Sequence, residues 1–152
     1  MNVREFLEQH HVEFGTTPHR TTFSAQRLAD CLGVPGDHVA KTVLLHVDGK
    51  PVLTVLQATH DVDLARARQA LSARKVELAP ESELGTLFPD CELGAVPPFG
   101  SEYGLTTVVD EPLTHDDYIV FDGNSHHEAI SMSYGDFAAI EHPRIAELSH
   151  HN

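Results

Sequence analysis

Two apolar runs rich in β-branched residues, 40–47 and 51–56, lie either side of Asp48-Gly49. An Asp-Gly pair tolerates the positive φ of a tight hairpin, so the pattern predicts two antiparallel strands at the centre of a sheet. Upstream, Val3, Phe6, Leu7 and His10 recur at helical spacing and predict an amphipathic helix over the first dozen residues. Residues 12–17 read as a short strand ended by Pro18, and Ser24 stands where an N-cap stands. Leu28, Ala29 and Leu32 then form one face of a helix closed by Gly33 and Pro35. Beyond the hairpin, 57–60 is a polar exit, and Asp61 is expected to cap a helix carrying Val62, Leu64, Ala67 and Leu71. Val76 and Leu78 suggest a brief strand, and Pro80 with Glu81 and Glu83 marks a helix start ahead of Leu84, Leu87 and Phe88.

The next stretch, 89–104, breaks the periodicity. Its centre, Gly94-Ala95-Val96-Pro97-Pro98-Phe99-Gly100, cannot be an interior helix or central strand. The prolines restrain the backbone while the glycines permit unusual dihedrals or close approach of a ligand. Strand patterns return at 106–109, 118–121 and 129–132, a short helix fits 133–140, and the tail beyond Pro143 reads as frayed. Hairpin-linked strands interrupted by separate helices indicate an α+β fold with a mixed sheet, organised as a single domain over 1–152.

Composition narrows the functional classes. With 23 acidic against 10 basic residues the formal net charge is -13, which disfavours broad capture of a phosphate backbone and hence a DNA or RNA coat protein. Four basic residues, Arg66, Arg68, Arg74 and Lys75, nevertheless fall within ten positions. They are either a solvated helix face or a contact for nucleic-acid phosphates. Cys31 and Cys91 lack CxxC spacing, which fits a reducing compartment. The amino terminus has no signal-peptide apolar region and no run approaches membrane-spanning length, so no membrane partner and a cytoplasmic location are expected.

Among residue types that carry chemistry, Lys41 stands out, because a buried ammonium at a strand start costs several kcal/mol on order-of-magnitude grounds unless it serves something. The 12 histidines include the pairs His10-His11, His126-His127 and His150-His151. Neighbours on a strand or helix point apart, so adjacency makes no chelate. His126 and Glu128 could share a strand face, but no HExxH is present. Gly123-Asn124-Ser125-His126-His127 opens like a nucleophile elbow and lacks its closing glycine. There is no dinucleotide fingerprint or Walker loop, and no metal or other cofactor is expected. What remains is Lys41, the 94–100 loop, and a polar group of His60, Asn124 and His126 after strand ends. A cation facing free backbone N–H groups suits a carbonyl that becomes tetrahedral and negative.

Val39-Ala40-Lys41-Thr42 with its hairpin, Val62-Asp63-Leu64, the 94–100 loop, and the segment from Asp122-Gly123-Asn124 to Met132 together resemble the YbaK/prolyl-tRNA-synthetase-associated domain. The resemblance runs over nearly the whole chain. It implies a mixed, barrel-like sheet flanked by short helices, and hydrolysis of the ester joining a wrong, small amino acid to the end of a tRNA. It implies catalytic roles for Lys41 and Gly94, with Val96, Pro97, Pro98, Phe99 and Gly100 of the loop, and His60, Gly123, Asn124 and His126, around the substrate. The implied partners are the mischarged tRNA acceptor end and an aminoacyl-tRNA synthetase. One of His126 and His127 is expected to line the amino-acid pocket. Two other readings stay open on the residues: a non-catalytic module binding an aminoacyl ester, nucleotide or protein, and a metal-dependent hydrolase built on His126, Glu128 and a remote histidine.

Overall fold

The computed structural model describes residues 1–151. Asn2 caps α1 (Val3–Gln9) through its side chain, and Val3, Phe6 and Leu7 are the buried face. After β1 (Phe14–Pro18), Ser24 accepts a hydrogen bond from the Arg27 N–H and opens α2 (Ala25–Leu32). Gly33, at φ 68°, ends it in the left-handed conformation that glycine adopts without strain. A 3-10 turn at Gly36–His38 leads into β2 (Ala40–Val47), which pairs antiparallel with β3 (Lys50–Gln57). Asp48 and Gly49 both have positive φ, as the hairpin pattern predicts. The Asp48 carboxylate also accepts from the Arg74 and Lys75 N–H groups, tying the turn to the chain just before Val76.

Next come β4 (His60–Val62), α3 (Leu64–Ala70), β5 (Val76–Leu78) and α4 (Glu81–Leu87). The cap of α3 is Asp63, whose side chain accepts from the Arg66 N–H. The expected cap, Asp61, instead lies inside β4, because 60–62 is recruited as a strand by a distant segment. After the 94–100 loop and a 3-10 turn at Gly100–Tyr103 follow β6 (Thr106–Asp110), β7 (Tyr118–Asp122), β8 (Glu128–Ser133) and α5 (Tyr134–Glu141). The tail is ordered, contrary to the frayed reading: β9 (Arg144–Ala146) pairs parallel with β6, and β10 (Ser149–His151) pairs antiparallel with β4. Asp110, 1 % exposed, supplies the reason, since its carboxylate accepts from the Leu148 N–H and the Ser149 hydroxyl.

The strands form a five-stranded mixed sheet ordered β5-β2-β3-β6-β9, a three-stranded sheet β1-β8-β7, and the pair β10-β4. The α+β class holds. The sheet does not close into a barrel: between the two larger sheets, among the described residues, one isolated bridge joins Val39 to Val120. Closure is replaced by packing. Phe6, Phe99, Phe121, Phe137, Val55 and Ile130 fill the core shared by both sheets, while Leu28 and Ala29 of α2 pack on Val39, Val120 and Ala129. Burying side chains of this size is worth roughly 1.5–3 kcal/mol each. The N-terminal end of β2, α2 and the loop before β8 consequently converge.

Candidate active site

That convergence encloses a pocket of about 90 Å³ lined by Phe23, Ser24, Ala25, Leu28, Val39, Ala40, Lys41, Thr42, Gly94, Val96, Asp122 and His126. The volume equals roughly the liquid share of three water molecules, room for a small acyl group. Lys41 also lines a more open cavity of about 420 Å³ with Gln26, Ala58 and Asp61. Its ammonium donates to Asp61 Oδ1 at 3.1 Å. The lysine side chain is 23 % exposed and Asp61 is half exposed, so the pair is partly solvated, of a kind worth about 0–1 kcal/mol. It orients the ammonium more than it stabilises the fold.

The 94–100 loop contributes Gly94 and Val96 to the same pocket. Gly94 has φ 84°, a conformation costly for residues with a Cβ. The Ala95 N–H is used by Glu92 O at 2.9 Å. Among the described residues neither the Gly94 nor the Val96 N–H donates to a protein acceptor, and both residues line the pocket. The Val96 carbonyl accepts from the Thr42 hydroxyl at 3.2 Å, which fastens the loop to β2 one residue beyond Lys41.

His126 closes the far wall and is 5 % exposed. Its Nε2–H donates to the Leu93 carbonyl at 2.6 Å, and Nδ1 lies 3.1 Å from Asp122 Oδ2. The Leu93 carbonyl and the Gly94 N–H belong to one planar peptide unit, so this hydrogen bond sets the direction of that N–H. Asp122 is shared with His19, whose Nε2 lies 3.2 Å from Oδ1 and whose Nδ1–H donates to the Arg20 carbonyl. Each imidazole thus commits one N–H to a carbonyl. Burial raises the Asp122 pKa above the usual carboxylate value, with His126 and then His19 pulling the other way.

The structure therefore brings together Lys41, Gly94, Val96 and His126. The other expected residues lie elsewhere. Phe99 is fully buried in the aromatic core against Phe6, Phe121 and Phe137. Pro97 and Pro98 are buried and do not line the pocket. Gly100 sits where a Cβ would collide with Thr107 and Leu53, and Gly123 where one would meet Ile130 and Val3. Asn124 braces the amino terminus, accepting from the Val3 N–H and donating to the Met1 carbonyl. His60 stands on β4 edge-on to His151, next to Asp61 but outside the Lys41 pocket. His127 is exposed, paired with Glu92 and Thr21. Glu128 is engaged by Arg4, and among the described residues no group of three acidic, histidine or cysteine side chains is disposed to hold a metal ion. Sequence reasoning missed Phe23, Thr42 and Asp122 as pocket residues and Asp61 as the partner of Lys41. A carboxylate four residues before His126 was a usable signal for Asp122; Phe23 had none.

The family model of the aminoacyl-tRNA editing domain matches residues 19–140, which contain every residue of the pocket. The chain belongs to this family. Proline–tRNA ligase of Staphylococcus aureus strain Newman is 32 % identical over 71 residues, 47 % of this chain but 12 % of the ligase. The match thus spans a small part of that relative's length. A crystal structure provisionally named a trans-editing enzyme for prolyl tRNA synthetase superposes with a TM-score of 0.82 at 20 % identity, covering 98 % of this chain and 95 % of that one. The hypothetical protein APE2540 superposes at 0.88 and 19 % identity over 99 % of this chain and all of its own. At such identities these two likenesses establish the fold. Among the described residues no helix is long and apolar enough to cross a membrane.

Proposed function

We propose that the protein hydrolyses the ester of a mischarged aminoacyl-tRNA bearing a small amino acid, with Lys41 and the Gly94 loop as its catalytic elements. The observation that supports this reading is the pocket of about 90 Å³ lined by Lys41, Gly94 and Val96, where among the described residues neither loop N–H donates to a protein acceptor. Water attacks the ester carbonyl carbon, and the oxygen becomes an oxyanion. The two N–H groups and the ammonium favour that charge more than they favour the neutral ester, which is the condition for rate acceleration. The bond to the ribose oxygen then breaks, one proton of the water passes to that oxygen, and the free amino acid leaves as a carboxylate with the second proton released to solvent.

His126 is a positioning residue in this scheme. Both its ring nitrogens are occupied, by Leu93 O and Asp122, so it holds the Gly94 peptide rather than abstracting a proton. Selectivity follows from size, since the walls are Leu28, Val39 and Val96, and a difference of one methylene is worth about 1–3 kcal/mol. The substrate arrives as an acceptor end, either free or from a synthetase.

The test is release of labelled amino acid from a panel of correctly charged and mischarged tRNAs, comparing the wild type with Lys41→Ala. Hydrolysis of one small-residue class, abolished in the variant while its circular dichroism is unchanged, is the expected result. A flat panel with saturable binding would replace the deacylase by a binding module.

A further inference from the structure

Phe23 is 78 % exposed, although burying a phenylalanine is worth roughly 1.5–3 kcal/mol. Its ring meets His126 edge-on at 5.1 Å and 62°, and it forms a wall of the Lys41 pocket. On its other side lies a separate cleft of about 340 Å³ lined by Arg20, Thr21, Thr22, Phe23, Arg27 and Asp30. Phe23 is thus the partition between the two cavities.

The chemistry of this cleft differs from that of the molecule around it. In a chain of net charge -13 it collects two arginines, and among the described residues neither guanidinium forms an ion pair. The Thr22 hydroxyl is buried and among the described residues has no hydrogen-bond partner, an arrangement costing about 1–3 kcal/mol. An exposed aromatic ring beside unpaired arginines is the surface that recognises a nucleobase and its phosphate.

We infer that this cleft seats the last nucleotides of an RNA 3′ end: the terminal base stacks on Phe23, and Arg20 and Arg27 hold the phosphate on its 5′ side. The inference rests on the proposed function, because an acyl group seated beside Lys41 leaves its carrier at the pocket mouth that Phe23 borders. Asp30, the carboxylate lining the cleft, supplies an acceptor for a ribose hydroxyl or a base amino group. A few local contacts of this kind reconcile RNA binding with an acidic protein, since they grip the end of the strand and leave the duplex alone.

The dinucleotide cytidylyl-adenosine, which carries no amino acid, separates this inference from the hydrolytic one. Its affinity, measured by calorimetry, should fall about five- to hundred-fold in Phe23→Ala and in Phe23→Leu and be restored in Phe23→Trp, because stacking needs the π face rather than apolar bulk. The double variant Arg20→Gln, Arg27→Gln should weaken binding and remove most of its salt dependence, since the dinucleotide carries only the one phosphate they hold. Ribose 5-phosphate should respond to the arginines and not to Phe23. No detectable dinucleotide binding at millimolar concentration, or binding indifferent to Phe23, overturns the inference; if mischarged tRNA is still hydrolysed, the deacylase reading stands without it. A wild type that binds the dinucleotide through Phe23 but releases no amino acid upholds the cleft and removes the deacylase reading.

Discussion

On the proposed mechanism the partly solvated Lys41–Asp61 pair matters for chemistry and little for stability. Lys41→Ala should lower kcat/KM for the mischarged substrate by about 10²–10³, with the urea midpoint shifted by less than the equivalent of about 1 kcal/mol. Gly94→Ala tests backbone conformation rather than space: a Cβ there would lie 3.6 Å from His126 Cε1, an ordinary contact, whereas φ is 84°. Strain of about 1–2 kcal/mol should rotate the peptide whose N–H faces the oxyanion, so kcat should fall more than KM rises in steady-state assays. Asp122 carries the pH prediction. Its folded pKa is raised, chiefly by burial, so its contribution to stability is fully present below the unfolded value near 3.9 and is lost as pH rises through the folded value. Asp122→Asn removes that dependence. Urea unfolding between pH 3 and 7 should show the wild type losing stability relative to the variant with rising pH; parallel curves would refute the assignment.

Strand β4 is three residues long, yet it holds Asp61 against Lys41. Its order comes from β10, which is itself secured by Asp110 through Leu148 and Ser149. Asp110→Ala should therefore cost about 1–3 kcal/mol and accelerate amide exchange both in 144–151 and in 60–62, two segments far apart in sequence. Acceleration confined to the tail would show that β4 stands without it. The same dependence explains why 57–64 misleads as a sequence: Asp61 and Asp63 are equally good caps, and only the pairing with β10 decides that the helix starts after Asp63.

The whole molecule places its charge away from its chemistry. A net charge of -13 repels a polyanion at long range, while Lys41 is the cation that lines the pocket. Ionic strength should therefore affect KM and leave kcat nearly unchanged, because charges inside the pocket are screened far less than those on the surface. Steady-state kinetics from low to high salt check this.

What the chain settled by itself is whatever depends on neighbours in sequence. The Asp48-Gly49 hairpin, the Ser24 and Gly33 ends of α2, and the Gly94 loop all follow from backbone preferences of single residues and short periodicities. Lys41, Gly94, Val96 and His126 were legible as one site for a related reason, since each sits at a strand end or in a loop whose break in pattern marks it. Tertiary structure decided the rest. A glycine kept for close packing at 100 or 123 looks the same in sequence as one kept for a ligand, and Asn124 reads as a site residue until the amino terminus is seen resting on it. Phe99 and Phe23 are the same residue type, and one is the centre of the core while the other stands in solvent at the pocket mouth. Burial depends on contacts between segments far apart in the chain, and no local pattern encodes which segments meet.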